Sequence, residues 1–229
     1  CSGFDVLCHG LESYTARPFS SRELPEDPGE RPAYQGSNPV SDVWSMETIE
    51  VVSANIENST NNSDDEYARE KMMLSASAAG IGFGNAGVHL CHGMSYAVSG
   101  NVKEYTPKGY PQDKPMVPHG LSVILNAPAV FRFTSKSNPA KHLNAAALMG
   151  VDISNIDDED AGNAIADKLI ELLKNLDMPN GLSGLGYNDG DVEKLVEGTL
   201  PQHRVTKLSP IDVDADILRN LFRNSMKLW

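Results

Sequence analysis

Cysteine is scarce in this chain, and three residues (Cys1, Cys8, Cys91) cannot build a disulfide framework, which points to a reducing compartment. No apolar run approaches the roughly 18 residues that a spanning helix requires, so a helical membrane anchor is not expected. Positive charge is in deficit: 19 Lys and Arg stand against 31 Asp and Glu, a formal charge of −12. That balance argues against a nucleic-acid duplex and an anionic membrane surface as partners. Strand-like alternation and βαβ units are also missing, and there is no internal repeat. The chain opens on Cys1, without a charged-then-apolar leader, so it is read as starting elsewhere than at a natural beginning.

What is present is a globular composition, 40% hydrophobic and 22% charged over 229 residues, enough to bury a core. Its periodicity is helical. Phe4, Leu7, Cys8, Leu11 and Tyr14 recur at 3–4 spacing and predict a helix over 3–16. A Pro-rich loop follows from Arg17 to Pro39, and Ser37 or Asn38 caps a helix with Pro39 in its first turn. The polar tract Asn58–Ser63 predicts a break; its two glycosylation sequons carry little weight without a sign of secretion. Asp64 or Asp65 starts a buried helix of small residues that the glycines of 80–87 end. A short helix over 88–98, an exposed loop over 100–118, and a single core helix over 119–134 come next. Helices near 138–149, 158–176, 189–198 and 212–227 complete an all-α fold of about nine helices, a count read from these periodic stretches.

Asp5-x-x-x-His9 places a carboxylate and an imidazole on one helix face. His89-x-x-His92 is a second pair, and His119 occupies a Pro118-His119-Gly120 corner. Asp5, His9, His119 and one of His89 and His92 form a donor set that suits a divalent transition metal; spacing does not choose between the last two. Gly82-x-Gly84-x-x-Gly87 matches the dinucleotide fingerprint literally, but it follows a helical stretch instead of a strand, so that role is rejected. Asp157–Asp160 and the Asp212, Asp214, Asp216 series read as helix starts, and Cys8 and Cys91 as buried packing.

Three of these stretches are familiar together. Residues Gly3–Tyr14 (GFDVLCHGLESY), Gly82–Tyr96 (GFGNAGVHLCHGMSY) and Pro118–Ser122 (PHGLS) resemble the metal-binding segments of the iron-containing alcohol dehydrogenase family. Arg31–Pro39, Gly198–Gln202 and the tail Ser225–Leu228 resemble its hydroxyacid–oxoacid transhydrogenase branch, and the likeness runs from residue 3 to the C-terminus. The resemblance implies that residues 1–229 are the helical metal-binding domain, the C-terminal half of a two-domain oxidoreductase whose α/β nucleotide-binding half is not in this chain. By position it implies Asp5, His9, His92 and His119 as metal ligands, leaving His89 a packing residue behind them. Iron is the metal implied first and zinc the second, with NAD(P) as cofactor of the whole enzyme. Tyr96 stands where many alcohol dehydrogenases of the family have a histidine near the nicotinamide, which makes it the catalytic candidate and puts a histidine proton relay there in doubt.

The implied reaction moves a hydride from 4-hydroxybutyrate to 2-oxoglutarate through bound nicotinamide, in a mitochondrion. The rival readings are half of an NAD-dependent dehydrogenase of simple alcohols and a non-catalytic helical metal-binding module. The substrate carboxylates call for a cation; Lys103, Lys108, Lys114 and Arg132 are near in sequence but read as solvated surface. The 99–118 loop is a candidate for shaping the pocket. Without its partner domain the chain is expected to be nearly inactive and to expose an apolar face that invites a homo-oligomer.

Overall fold

The computed structural model describes residues 1–22 and 25–229. They form eleven α-helices and several single 3₁₀ turns; no strand occurs among the described residues, and the only bridge is the isolated pair Pro18–Ser37. No helix among them is long and apolar enough to cross a membrane.

Helix α1 (Ser2–Thr15) runs through the middle, with Phe4, Leu7, Cys8, Leu11 and Glu12 fully or almost fully buried. Packed on it are α2 (Pro39–Asn61) and α3 (Glu66–Ala86), a long hairpin. Each starts with a side-chain cap: Asn38 accepts the Val40 and Ser41 N–H groups, with Pro39 at the first helical position, and Asp65 accepts that of Ala68. Helix α4 (Leu90–Gly100) and the short α5 (His119–Ile124) close the other side of α1. Beyond them α6 (Ala127–Thr134), α7 (Pro139–Leu148) and α8 (Ala161–Asn175) pack together. Helices α9 (Val192–Thr199), α10 (His203–Thr206) and α11 (Ala215–Met226) complete the chain; α9 and α10 lean on α4, and α11 on α9 and α6. One core joins these elements, with Phe4, Leu11, Ile49, Met94, Ile124, Phe131, Ile165 and Phe222 fully buried or nearly so.

Three boundaries and one burial pattern differ from expectation. The predicted single helix over 119–134 is two, because Pro128 has no N–H to donate to Ile124 and its ring clashes with that carbonyl. Asn126 sits at the joint and donates its side-chain N–H to the Ser122 carbonyl at 2.8 Å. The break expected at Asn58–Ser63 starts later, since α2 runs to Asn61; Ser59 and Thr60 return their hydroxyls to the Ile56 carbonyl at 3.1 and 2.7 Å. Nor do the glycines of 80–86 end α3. Gly80 and Gly84 face open space, and Gly82 lets the helix approach α2, where a Cβ would come within 3.0 Å of Ser45 Oγ. Only Gly87 stops it, at φ +86°, a left-handed conformation that side chains disfavour. The small-residue stretch 74–79 is buried along one face only: Ser75, Ala78 and Ala79 are inside, whereas Leu74, Ala76 and Ser77 are exposed.

The 3–16 helix, the cap at Asn38, the start at Asp65 and the Asp at the head of α11 match expectation, although that last cap is Asp214 and not Asp212. Asp212 pairs instead with Arg17. Helix α10 was not expected. In the Arg17–Pro39 loop the described residues form two single 3₁₀ turns, Phe19–Ser21 and Pro28–Glu30; residues 23 and 24 lie outside the described residues.

Candidate metal centre

Three helices meet at one spot on the edge of the core. Helix α1 carries Asp5 and His9 one turn apart on one face, α4 carries His92 in its first turn, and α5 begins with His119. Asp5, His9 and His92 each offer a ligand atom, and these atoms lie within 4.8 Å of one another; this is the one such cluster found among the described residues. His119 stands just outside it, with Nε2 3.6 Å from Asp5 Oδ1 and about half of its side chain exposed. The His92 ring centroid is 4.5 Å from that of His9 and 5.5 Å from that of His119. Phe83, from the end of α3, stacks on His9 at 4.0 Å and fixes its plane.

His89, the other histidine of the second pair, turns away from the cluster. It is fully buried, with Nε2 3.1 Å from the Thr15 hydroxyl and Nδ1 3.5 Å from Glu12. Cys8 and Cys91 are buried free thiols outside the cluster, and burial pushes the Cys91 thiol well up. Tyr96, one turn beyond His92, is partly exposed; its ring lies 6.4 Å from that of His119, nearly parallel to it. Burial raises its phenol.

Glu12 was not singled out from the sequence, and the site turns on it. Its carboxylate is fully buried where α1 meets the start of α4. One oxygen accepts the backbone N–H groups of His89, Cys91 and His92 at 3.0, 2.8 and 3.4 Å, satisfying donors that the first turn of a helix leaves open. The other is in short contact with Nδ1 of His92. A recognisable signal was present: Asp5, His9 and Glu12 follow i, i+4, i+7 spacing along one face of α1.

The electrostatics follow from that arrangement. Burial alone would raise the Glu12 carboxyl, but the charges of His92 and His89 and the hydrogen bonds it accepts hold it at about 2. Burial likewise would lower His92, and the charge of Glu12, with Asp5 beside the ring, instead raises it to about 10. His9 goes the other way, down to about 4, through burial reinforced by the His92 charge. It is therefore a neutral imidazole with a free lone pair, the form in which histidine ligates. Burial works against ionisation of Asp5 as well, yet His92, His9 and His119 together lower it.

Two atoms test whether a cation fits here. Asp5 Oδ1 and His92 Nε2 are both buried, 3.3 Å apart, and neither has a hydrogen-bond partner among the described residues. Buried polar atoms are rarely left so, and an ion between them would satisfy both. A carboxylate oxygen and imidazole nitrogens are the donors that divalent transition metals take. With Nδ1 tied to Glu12, Nε2 of His92 is the nitrogen that would ligate, giving up its proton as a cation binds, in the arrangement in which a carboxylate orients a ligating histidine.

The comparisons with known proteins agree with this architecture. The C-terminal domain family of Fe-containing alcohol dehydrogenases matches residues 33–226, and the chain belongs to that family. It is 55% identical, over its whole length, to the probable mitochondrial hydroxyacid-oxoacid transhydrogenase of Dictyostelium discoideum, and 53% identical to the mitochondrial hydroxyacid-oxoacid transhydrogenase of Mus musculus. The chain spans 42% and 49% of those two proteins, about half the length of the relatives it matches. Among solved structures, a 1,3-propanediol oxidoreductase superposes on 97% of this chain with a TM-score of 0.79 at 23% identity, over 50% of its own length. The alcohol dehydrogenase of Oenococcus oeni gives the same TM-score and the same two coverages at 18% identity. At such identities the structural likeness establishes the fold, the helical C-terminal domain of iron alcohol dehydrogenases.

Proposed function

We propose that residues 1–229 are the metal-binding half of a hydroxyacid–oxoacid transhydrogenase, holding a divalent ion, iron first and zinc second, through Asp5, His9, His92 and His119. The observation that carries this is the pair of unpartnered buried atoms, Asp5 Oδ1 and His92 Nε2, with a neutral His9 beside them. The names of relatives 52–55% identical over the whole chain support the particular activity.

The chemistry such an ion supplies is Lewis-acid polarisation of the substrate's hydroxyl or carbonyl oxygen, worth several kcal/mol in this class of reaction. The chain's own residues prepare the place for it. Glu12 keeps a proton on Nδ1 of His92 and so points Nε2 at the site. Phe83 holds the His9 ring by stacking. Tyr96 offers a hydroxyl beside His119, on the side left partly open to solvent, where substrate and nicotinamide would meet; it is the residue we assign to touch them. The NAD(P) would be held by an upstream nucleotide-binding half, and the substrates would be 4-hydroxybutyrate and 2-oxoglutarate, with mitochondrial residence as for the relatives. No nucleic acid or membrane surface is among the proposed partners.

The experiment is turnover by the full-length protein given 4-hydroxybutyrate and 2-oxoglutarate with no added nicotinamide. The reading expects 2-hydroxyglutarate to accumulate stoichiometrically with succinate semialdehyde. Strict dependence on added NAD, with simple alcohols as the better substrates, would assign the protein to the ordinary alcohol dehydrogenases instead.

A further inference from the structure

The site as described has a metal end and no cation for the carboxylate that a hydroxy acid carries. The basic residues near in sequence do not supply one. Lys103 is engaged by Asp191 at 2.5 Å, Arg132 by Asp167 at 2.8 Å, and Lys108 and Lys114 are exposed on the 101–118 loop. Another arginine stands beside the site, brought there by the fold.

Helix α10 is a single turn packed on α4: a Cβ on Gly93 would lie 2.9 Å from Thr206 Cγ2 and 3.5 Å from Val205 Cγ2. Gly93 follows His92 directly, and Tyr96 is three residues further on, so α10 sits beside the face that carries both. From this turn Arg204 reaches across to Tyr34. Its Nη2 donates to the Tyr34 hydroxyl at 2.5 Å, and its guanidinium carbon lies 5.0 Å from the ring centroid. Tyr34 is itself pressed against Gly87, where a Cβ would come within 2.8 Å of its ring. The charge of Arg204 also bears on the Tyr96 hydroxyl, lowering what burial raises. Among the described residues Arg204 has no carboxylate within ion-pair distance, and its side chain is exposed. Ring-to-ring distances thus join His92, His119 and Tyr96, and the packing of α10 on α4 brings Arg204, on its Tyr34 support, to the same helix.

We propose that Arg204, positioned by Tyr34 beside Tyr96, binds the carboxylate of the substrate and so selects hydroxy and oxo acids over plain alcohols. This rests on the transhydrogenase reading above and names the specificity residue of the same site. The guanidinium fork matches a carboxylate in plane with two parallel N–H donors, and the Tyr34 bond uses only part of it. The Tyr34 ring also holds the fork over a fixed surface, which reduces the entropy lost on binding.

The test uses the metal-loaded, full-length protein. Arg204→Ala is expected to raise the KM for 4-hydroxybutyrate about 10- to 100-fold, the loss typical of one charged hydrogen-bonding contact. The kcat should stay within about threefold, because the contact is made in ground and transition states alike. The KM for 1,4-butanediol, of equal chain length but uncharged, should not move, and Arg204→Lys should recover part of the loss. An unchanged KM for the acid, or equal losses on acid and diol, would overturn the proposal. Calorimetric binding of butyrate to wild type and Arg204→Ala decides the same point without turnover: equal affinities contradict the proposal. A wild type that binds butyrate through Arg204 yet turns over no hydroxy acid would count against the transhydrogenase reading and leave the carboxylate site standing.

Discussion

Glu12 shows how much one buried carboxylate can organise. It holds the first turn of α4 through three backbone N–H groups and His92 through Nδ1, so replacing its charge disturbs an element and a proposed ligand together. Glu12→Gln keeps the shape but weakens both sets of bonds. Divalent-metal affinity, measured by titration with Fe2+ or Zn2+, is expected to fall about 10- to 100-fold, the usual loss when a carboxylate behind a histidine ligand is changed. Unchanged affinity would mean that Glu12 serves only to cap the helix. A second buried group, His142, sits away from the metal cluster. Its Nδ1–H donates to the Asn138 carbonyl at 2.9 Å and its Nε2 is 3.0 Å from the Thr134 hydroxyl. Burial, with Lys141 adding to it, pushes this imidazole down to about 4 from 6.5. Because its folded value is depressed, the unfolded chain binds the extra proton first as pH falls. Its stabilising contribution is therefore complete above pH 6.5 and shrinks down to about pH 4. The displacement implies a loss of a few kcal/mol, at about 1.4 kcal/mol per pH unit. Urea unfolding at pH 7 and pH 4.5 of wild type and His142→Gln measures this by difference, since His9 is depressed over the same range, and the variant should show the shallower pH dependence.

At the scale of elements, the glycines of α3 make a direct contrast. Gly80 lies inside the helix with nothing within 4 Å of the position a Cβ would take, so Gly80→Ala should stabilise the chain by about 0.5–1 kcal/mol. Gly87 ends the helix at φ +86°, and a Cβ there would lie 2.3 Å from Leu208 Cδ1. Gly87→Ala should therefore destabilise by about 1–3 kcal/mol and displace Tyr34 as well. Thermal unfolding of both variants checks the opposite signs. These cases also mark what was legible in the sequence. Helix starts were, because a capping Asn or Asp and a Pro in the first turn act locally, as at Asn38 and Asp65. Helix ends were less so: glycines suggested a break that the packing of Ala78, Ala79, Gly82 and Ala86 against neighbouring helices overrides. Pro128 did carry the signal for the joint between α5 and α6, and a strongly apolar run obscured it. In the site, Asp5 and His9 were readable because one helical turn joins them. The approach of His92 and His119, and the placing of Arg204 beside Tyr96, depend on how α4, α5 and α10 dock, which no local spacing encodes.

On the scale of the whole molecule, the helical domain has a well-formed core and places its candidate metal site at an edge, where Tyr96, His119 and Arg204 are partly or largely exposed. The curated relatives are about twice as long as this chain. A separate apolar face lies on α2 and α3, where Val43, Trp44, Met73, Leu74 and Ile81 are exposed. On the proposed function, the domain's part would be to hold one ion with the substrate beside it. The most direct measurement of that claim is the metal content of the purified protein by mass spectrometry, after loading with Fe2+ and exhaustive dialysis, for wild type and for Asp5→Ala and His92→Ala. About one equivalent in the wild type and almost none in either variant is the result predicted from the ligand set. A folded wild type that retains no ion, or variants that retain as much as it does, would contradict the account.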